Sequence, residues 1–458
     1  MSYTHCVLPP HPTQADLRQA AADYRAMVVS VIQAIVERYQ RTPDYPFVDT
    51  KLNLITGEDF AQDDPIRGRG AIYGWIQGRG LESLVGHARF LAPDAQYAPL
   101  VAALDEMIGQ ITVQLQIMRS RNGGHLSFLM DPEGQPFCLD PNGCPVPFAI
   151  DAESPYGFSD LFASKGLFAA ATHTGNDAAL RDALDYVERV EKAIWDERFQ
   201  SDQIPLDPKL RPEPRDGFRA HGAYMIQIGT LAMLAEAGIG GAVERGLRLV
   251  EYELETYANL GGRVVDLREG DFWEGVNEQG APYREADGVL YSDPGHALEF
   301  VGLALKFIAA AQPHASPEQT ERLHAAQRPM FTLLERNFAN GYIAHPGGIS
   351  KAYDLVSRRH LNTDMPWWNL PETIRSAALA WNVASNGEER ARCLEILRDT
   401  HNAFRHFIRT DLHLMAYQTR SIGGKPVDAI PATADADPGY HTGLSLIDAI
   451  EILARQYD

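Results

Sequence analysis

The sequence predicts an all-α protein, a closed toroid of six helical hairpins. Two observations carry this. Apolar residues recur with a 3.6-residue period along most of the 458-residue chain, whereas period-2 alternation is confined to scraps such as "GGHLSFLM" and "NGYIAHPGGISKAYD". The links between helices also alternate in length. One short and one long link per hairpin suits inner and outer helices taking turns around a ring, with the long loops gathered on one rim.

In chain order, the period predicts helices over 13–41, 73–93, 96–120, 156–174, 177–197, 218–237, 240–258, 292–312, 316–337, 368–385, 387–410 and 440–456. Several starts carry capping residues: Ser159-Asp160 lies near one, Ser316-Pro317-Glu318 opens another, and Asp293-Pro294 and Asp437-Pro438 open two more. Short links such as "HTGND" at 173–177 and "AGIGG" at 237–241 follow even-numbered helices. Long ones at 121–155, 259–291 and 338–367, rich in Gly, Pro and Asp, follow odd-numbered helices. "PLDPKLRPEPRD" at 205–216 reads as a loop. No composition shift marks a boundary, so residues 1–458 are expected to form one domain.

Composition narrows the function. With 45% hydrophobic, 22% charged and 9% aromatic residues, the chain reads as globular. Its net charge of -20 repels phosphate backbones and anionic membranes, so neither nucleic acid nor membrane is an expected partner. The start "MSYTHCVLPPHPTQ" lacks the cationic and apolar segments of a secretion signal, and no later stretch approaches about 18 uninterrupted apolar residues. A cytoplasmic location is therefore expected, with Cys6, Cys138, Cys144 and Cys393 as free thiols.

In a toroid, the even-numbered helices enter from the long-loop rim, and unusual side chains stand at their starts. Trp75 and Arg79 lie one turn apart on the second, and the fourth and sixth begin "YGFSDLFASKG" and "FRAHGAYMIQIG". His296 and Glu299 stand on the eighth, Trp367, Trp368 and Glu372 on the tenth, and Tyr440 and His441 on the twelfth. Taken singly, each has a plainer reading: a helix-start histidine caps, paired tryptophans fill a core, and Arg79 bridges to Glu82. Their convergence on one mouth is what points to a polar, aromatic-lined small-molecule pocket.

His296 and His441 each follow an Asp-Pro-Gly, inside the first turn of a helix, where the positive end of the dipole favours neutral imidazole. Glu299, three residues on, shares a face with His296 and would orient its ring. Two neutral histidines supply an acid and a base, the aromatic rings a stacking surface for a sugar, and Arg79 a fork of donors for its oxygens. Such a set suits proton abstraction beside the carbonyl of an open-chain aldose, with return at carbon 2 (epimerisation) or carbon 1 (aldose–ketose isomerisation). No cofactor is expected, since no phosphate-cradling glycine loop is present, and a metal held by His296, His441 and Glu372 lacks tight ligand spacing.

"WIQGR" at 75–79, "PGHALE" at 294–299, "WWNLPE" at 367–372 and "YHTGL" at 440–444 resemble, in order and spacing, the N-acylglucosamine 2-epimerase superfamily. The resemblance runs from about residue 45 and implies an (α/α)6 barrel acting on a sugar. It implies His296 and His441 as the acid/base pair, with His441 taking the carbon-2 proton and His296 serving ring opening and opposite-face transfer. It makes Glu299 the partner of His296 and Arg79 a ligand of the reactive oxygens. Trp75, Trp367, Trp368, Glu372 and Tyr440 would line the pocket, with Phe158 where some relatives have tyrosine. Isomerase-type relatives carry a third histidine on the sixth helix; Met225 stands there, with His221 four residues earlier. The strip 262–288 would shape substrate choice, Arg268 and Arg284 being candidates to address an acidic or phosphorylated sugar. The rival readings are an (α/α)6 hydrolase or lyase using Asp160, Asp287 or Glu372, and a non-catalytic sugar-binding protein. A homodimer is compatible with the sequence.

Overall fold

The computed structural model describes residues 3–203, 217–429, 433 and 435–455; the predicted 205–216 loop lies outside them. Six inner helices, α2 (Gly74–Leu91), α4 (Phe158–Thr174), α6 (Gly222–Glu236), α8 (Pro294–Ala311), α11 (Asn369–Val383) and α13 (Ser445–Leu453), pack in that order around a lumen. The outer helices are α1 (Gln14–Arg41), α3 (Ala98–Arg121), α5 (Asp177–Trp195), α7 (Ala242–Tyr257), α9 (Pro317–Gln327) with α10 (Met330–Gly341), and α12 (Gly387–Phe404). The ring closes where the Tyr440–Leu444 turn before α13 packs on α2, and α1 lies against α13.

The sequence dictates the two layers. Along α4 and α6 nearly every residue is buried, as for a helix walled on all sides, while α5 and α7 bury one stripe. Glycine sets the closest inner contact. A methyl group added to Gly78 of α2 would meet the Phe162 carbonyl carbon at 2.5 Å, and one on Gly166 of α4 the Gly78 carbonyl oxygen at 2.5 Å. Mid-helix glycine costs about 0.5–1 kcal/mol relative to alanine, which the close approach of two backbones offsets.

One device recurs at the long-loop rim. Two-residue strands directly precede four inner helices: Ile72–Tyr73, Arg219–Ala220, Tyr291–Ser292 and Met365–Pro366. Each pairs with a rim segment, at Leu129–Met130, Gly275–Val276, Ala352–Asp354 and Thr419–Arg420 respectively. The start of the helix is thereby pinned to the rim.

Thirteen α-helices occur among the described residues, one more than the period predicts. The helix expected over 316–337 breaks at Arg328–Pro329, because proline cannot donate to the helical ladder. The helix expected to reach 410 stops at Phe404. Pro294–His314 is long and apolar enough to cross a membrane, but 78% of its window is buried in the barrel. All four cysteines are free.

Candidate active site

A cavity of about 210 Å³ opens at this rim and takes side chains from the starts of all six inner helices. Trp75, Arg79, Phe158, His296, Glu299, Trp367, Trp368 and His441, all singled out in the sequence, line it. Tyr440 and Glu372 do not. Both sit one layer deeper and face a second cavity of about 260 Å³ that runs toward the opposite end of the barrel.

Around His296, Asp293 caps α8 by accepting the Gly295 N–H at 2.9 Å, with Pro294 at the first helical position. His296 Nδ1 lies 3.0 Å from Glu274 Oε2 and 3.7 Å from Asp293 Oδ2. Two sequence expectations change here. Burial pushes the imidazole down, but Asp293 and Glu274 outweigh it and hold its pKa above the usual range. Two carboxylates therefore override the partial charge of a helix end. The partner of His296 is also not Glu299 but Glu274, from the loop before α8. Glu299 instead lies beside Glu372 and His441, the three donor atoms within 4.8 Å of one another. Burial, followed by the neighbouring Glu372 charge, raises the Glu299 carboxyl.

His441 is positioned differently. Asp437 accepts the N–H groups of Tyr440 (2.9 Å) and Thr442 (3.0 Å), and Gly439 turns at φ 82°. Pro438 and Gly439 thus stand outside the helix, and His441 sits in a π-helical turn, Tyr440–Leu444, that runs into α13. Its Nδ1 lies 2.9 Å from Glu372 Oε1, and the other Glu372 oxygen accepts from Arg375. Burial would raise Glu372, but Arg375 and then His441 pull its pKa below the usual value. In both histidines Nδ1 faces a carboxylate, which leaves Nε2 for the cavity. Trp368 touches both rings, with centroids 5.2 Å from His296 and 5.5 Å from His441. Trp367 is fixed by its indole N–H, which donates to Thr442 Oγ1 at 3.3 Å.

Arg79 makes no ion pair among the described residues and does not bridge to Glu82, which pairs with Lys165 at 3.0 Å. Its guanidinium lies 4.0, 5.4 and 5.5 Å from the ring centroids of Phe162, Tyr440 and Trp75. Aromatic faces hold the cation without consuming its donors, which remain for a ligand's oxygens. The Trp75 indole N–H donates to Asp202 at 2.9 Å, and Phe158 packs edge-on to Trp75 at 5.3 Å. Tyr440 supports the floor, its hydroxyl accepting from Lys165 at 3.0 Å.

The donor groups of His296, His441 and Glu372 do not gather as one set among the described residues: His221, Glu274 and His296 lie together on one side and Glu299, Glu372 and His441 on the other. In each, an imidazole nitrogen lies close to a carboxylate oxygen: His296 Nδ1 at 3.0 Å and His221 Nε2 at 3.4 Å from Glu274, and His441 Nδ1 at 2.9 Å from Glu372. Among the rival carboxylates, Asp160 is a buried structural acceptor for Leu126 N, Gly157 N and the Tyr186 hydroxyl, and Asp287 is exposed on the rim. Arg268 and Arg284 are exposed and outside the cavity wall; Lys351, 2.6 Å from Asp293 and over the Trp368 ring, is the cation at the mouth. The strip 262–288 serves the site through Glu274. Its one signal in the sequence is a lone acid within the apolar run "FWEGV".

Solved structures share this architecture. A cellobiose 2-epimerase from Spirochaeta thermophila matches with a TM-score of 0.66 at 13% identity, covering 96% of this chain and 98% of that one. A sugar epimerase from a ruminal bacterium gives 0.63 at 12% identity over 96% and 98%. A D-mannose isomerase gives 0.56 at 13% identity over 92% and 97%. Likeness at such identities is one of fold, here the (α/α)6 barrel. No curated protein matches the chain by sequence. Residues 153–442 match the N-acylglucosamine 2-epimerase family, so the chain belongs to that family. Membership makes it a carbohydrate epimerase or isomerase.

Proposed function

We propose that the protein is a sugar 2-epimerase that moves the carbon-2 proton of an open-chain aldose through an enediolate. The observation that carries this is a pair of histidines, His296 and His441, facing one cavity, each backed by a carboxylate, Glu274 and Glu372 respectively, with Trp368 against both rings. A carboxylate on Nδ1 fixes the tautomer with a basic Nε2 and stabilises the imidazolium formed when that nitrogen takes a proton. Asp293 and Glu274 favour protonated His296, which suits it to donate to the ring oxygen and open the sugar. As the ring opens, the carbon-1 hydroxyl gives its proton to the now neutral His296 and becomes the aldehyde. His441 then takes the carbon-2 proton, Arg79 holds the enediolate oxygens, and the recharged His296 returns its proton from the opposite side. Met225 at the cavity wall, where isomerase-type relatives carry histidine, supports epimerisation over transfer to carbon 1.

NMR of aldoses in deuterated water tests this. Deuterium should enter carbon 2 as the epimer accumulates, and His296→Ala or His441→Ala should each slow it by roughly 10²–10⁴-fold. Release of reducing ends from oligosaccharides, with no exchange in free sugars, would place the protein among carboxylate-using hydrolases instead.

A further inference from the structure

Behind His296 lies a chain of buried charge that the sequence motifs do not include. We infer that His221, backed by Glu253, is a positioning residue that keeps Glu274 ionised and thereby sets the tautomer of His296; the catalytic part of this rests on the epimerase reading. His221 stands immediately before α6, with no capping hydrogen bond from its side chain, and is fully buried, as is Glu253 on α7. His221 Nδ1 lies 3.4 Å from Glu253 Oε2, and its Nε2 3.4 Å from Glu274 Oε1. The other Glu274 oxygen faces His296 Nδ1 at 3.0 Å, and the two imidazole centroids are 5.7 Å apart.

A neutral imidazole carries one N–H and would turn a lone pair onto one of the two carboxylates. With a carboxylate oxygen 3.4 Å from each nitrogen, the geometry places His221 to carry both protons, as an imidazolium. Burial opposes that charge, but Glu274 and Glu253 outweigh it and hold His221 at about 10. Burial raises Glu253 to about 7. Glu274, despite its burial, is held well below the usual carboxylate range by the two histidines.

The consequence falls on His296. An ionised Glu274 accepts the Nδ1 proton and leaves Nε2 basic toward the cavity, whereas a protonated Glu274 would donate to Nδ1 and reverse the tautomer. His221 is absent from the cavity wall. The other charged or titratable groups around the chain are Asp293, Lys351 and Glu299 near His296, Tyr291 near Glu274, and Tyr224 and Tyr257 near Glu253.

Two measurements test the inference. Nitrogen-15 NMR of histidine-labelled wild-type protein at pH 8 should show one ring protonated on both nitrogens, a signal lost in His221→Gln. In that variant, loss of the cation strengthens proton binding by the Glu274–His296 unit, so the acidic limb of kcat/KM should move up by about one pH unit. Its kcat at neutral pH should fall roughly 10- to 100-fold with KM unchanged. A wild-type protein with no such imidazolium at pH 8, or a folded His221→Gln enzyme whose acidic limb does not move, overturns the inference. An imidazolium at His221 in a protein that exchanges no carbon-2 proton in any aldose would overturn the epimerase reading and leave the buried charge chain standing.

Discussion

Asp202 shows how a single side chain at the mouth couples recognition to stability. Burial raises its carboxyl to about 6, against the lowering effect of hydrogen bonds from Ser159 and Trp75. A pKa above the unfolded value of 3.8 means that its contribution to stability is complete below that value and is lost as pH rises through about 6. Asp202→Asn keeps an acceptor for the Trp75 indole and removes the titration. Urea unfolding at pH 4.5 and 7.5 should therefore show the wild type losing about 2 kcal/mol relative to the variant between the two. Residues of this kind were hidden from the sequence. His296, His441, Arg79 and the tryptophans stand at helix starts with their spacing in plain view, but Glu274, Glu253 and Asp202 reach the site from a loop, an outer helix and a rim segment. Their partners are distant in sequence, and only the tertiary fold shows that the charge beside His296 comes from residue 274.

Among the elements, the inner helices were legible and their first turns were not. A 3.6-residue period says where a helix runs; whether its opening turn is α or π depends on what it packs against. The two Asp-Pro-Gly segments make the point. Pro294 enters α8 directly, whereas Gly439 turns at φ 82° and the chain winds through a wider turn before α13. Gly443 in that turn rests on His87 of α2, where an added methyl would meet the ring at 2.3 Å. His87 cannot easily yield: it is fully buried, and its Nδ1 is tied to the Ser83 carbonyl at 2.7 Å. Gly443→Ala should cost about 1–3 kcal/mol and displace His441 from Glu372. Thermal unfolding should register the first effect, and a fall in kcat exceeding any change in KM the second.

Over the whole molecule, the six-hairpin ring followed from link lengths and periodicity, while the seam that closes it could not, since it joins residues nearly 400 apart. Lys51 Nζ lies 2.7 Å from Asp435 Oδ1, Thr50 Oγ1 donates to Asp435 Oδ2 at 2.9 Å, and the Ala436 N–H donates to the Thr50 carbonyl at 2.9 Å. Removing one partner of a fully buried ion pair costs about 3–5 kcal/mol. Lys51→Met should show a loss of that size in urea unfolding, together with a higher KM, because Asp435 and Ala436 form part of the cavity wall.

The seam also crosses the site itself. Arg79 comes from the second helix, and the Tyr440 ring beside it and His441 come from the last. During synthesis, the arginine and the aromatic wall of α2 and α4 leave the ribosome hundreds of residues ahead of the second histidine. Until the final hairpin docks against the first, the cavity lacks His441, and Arg79 lacks the Tyr440 ring beside it.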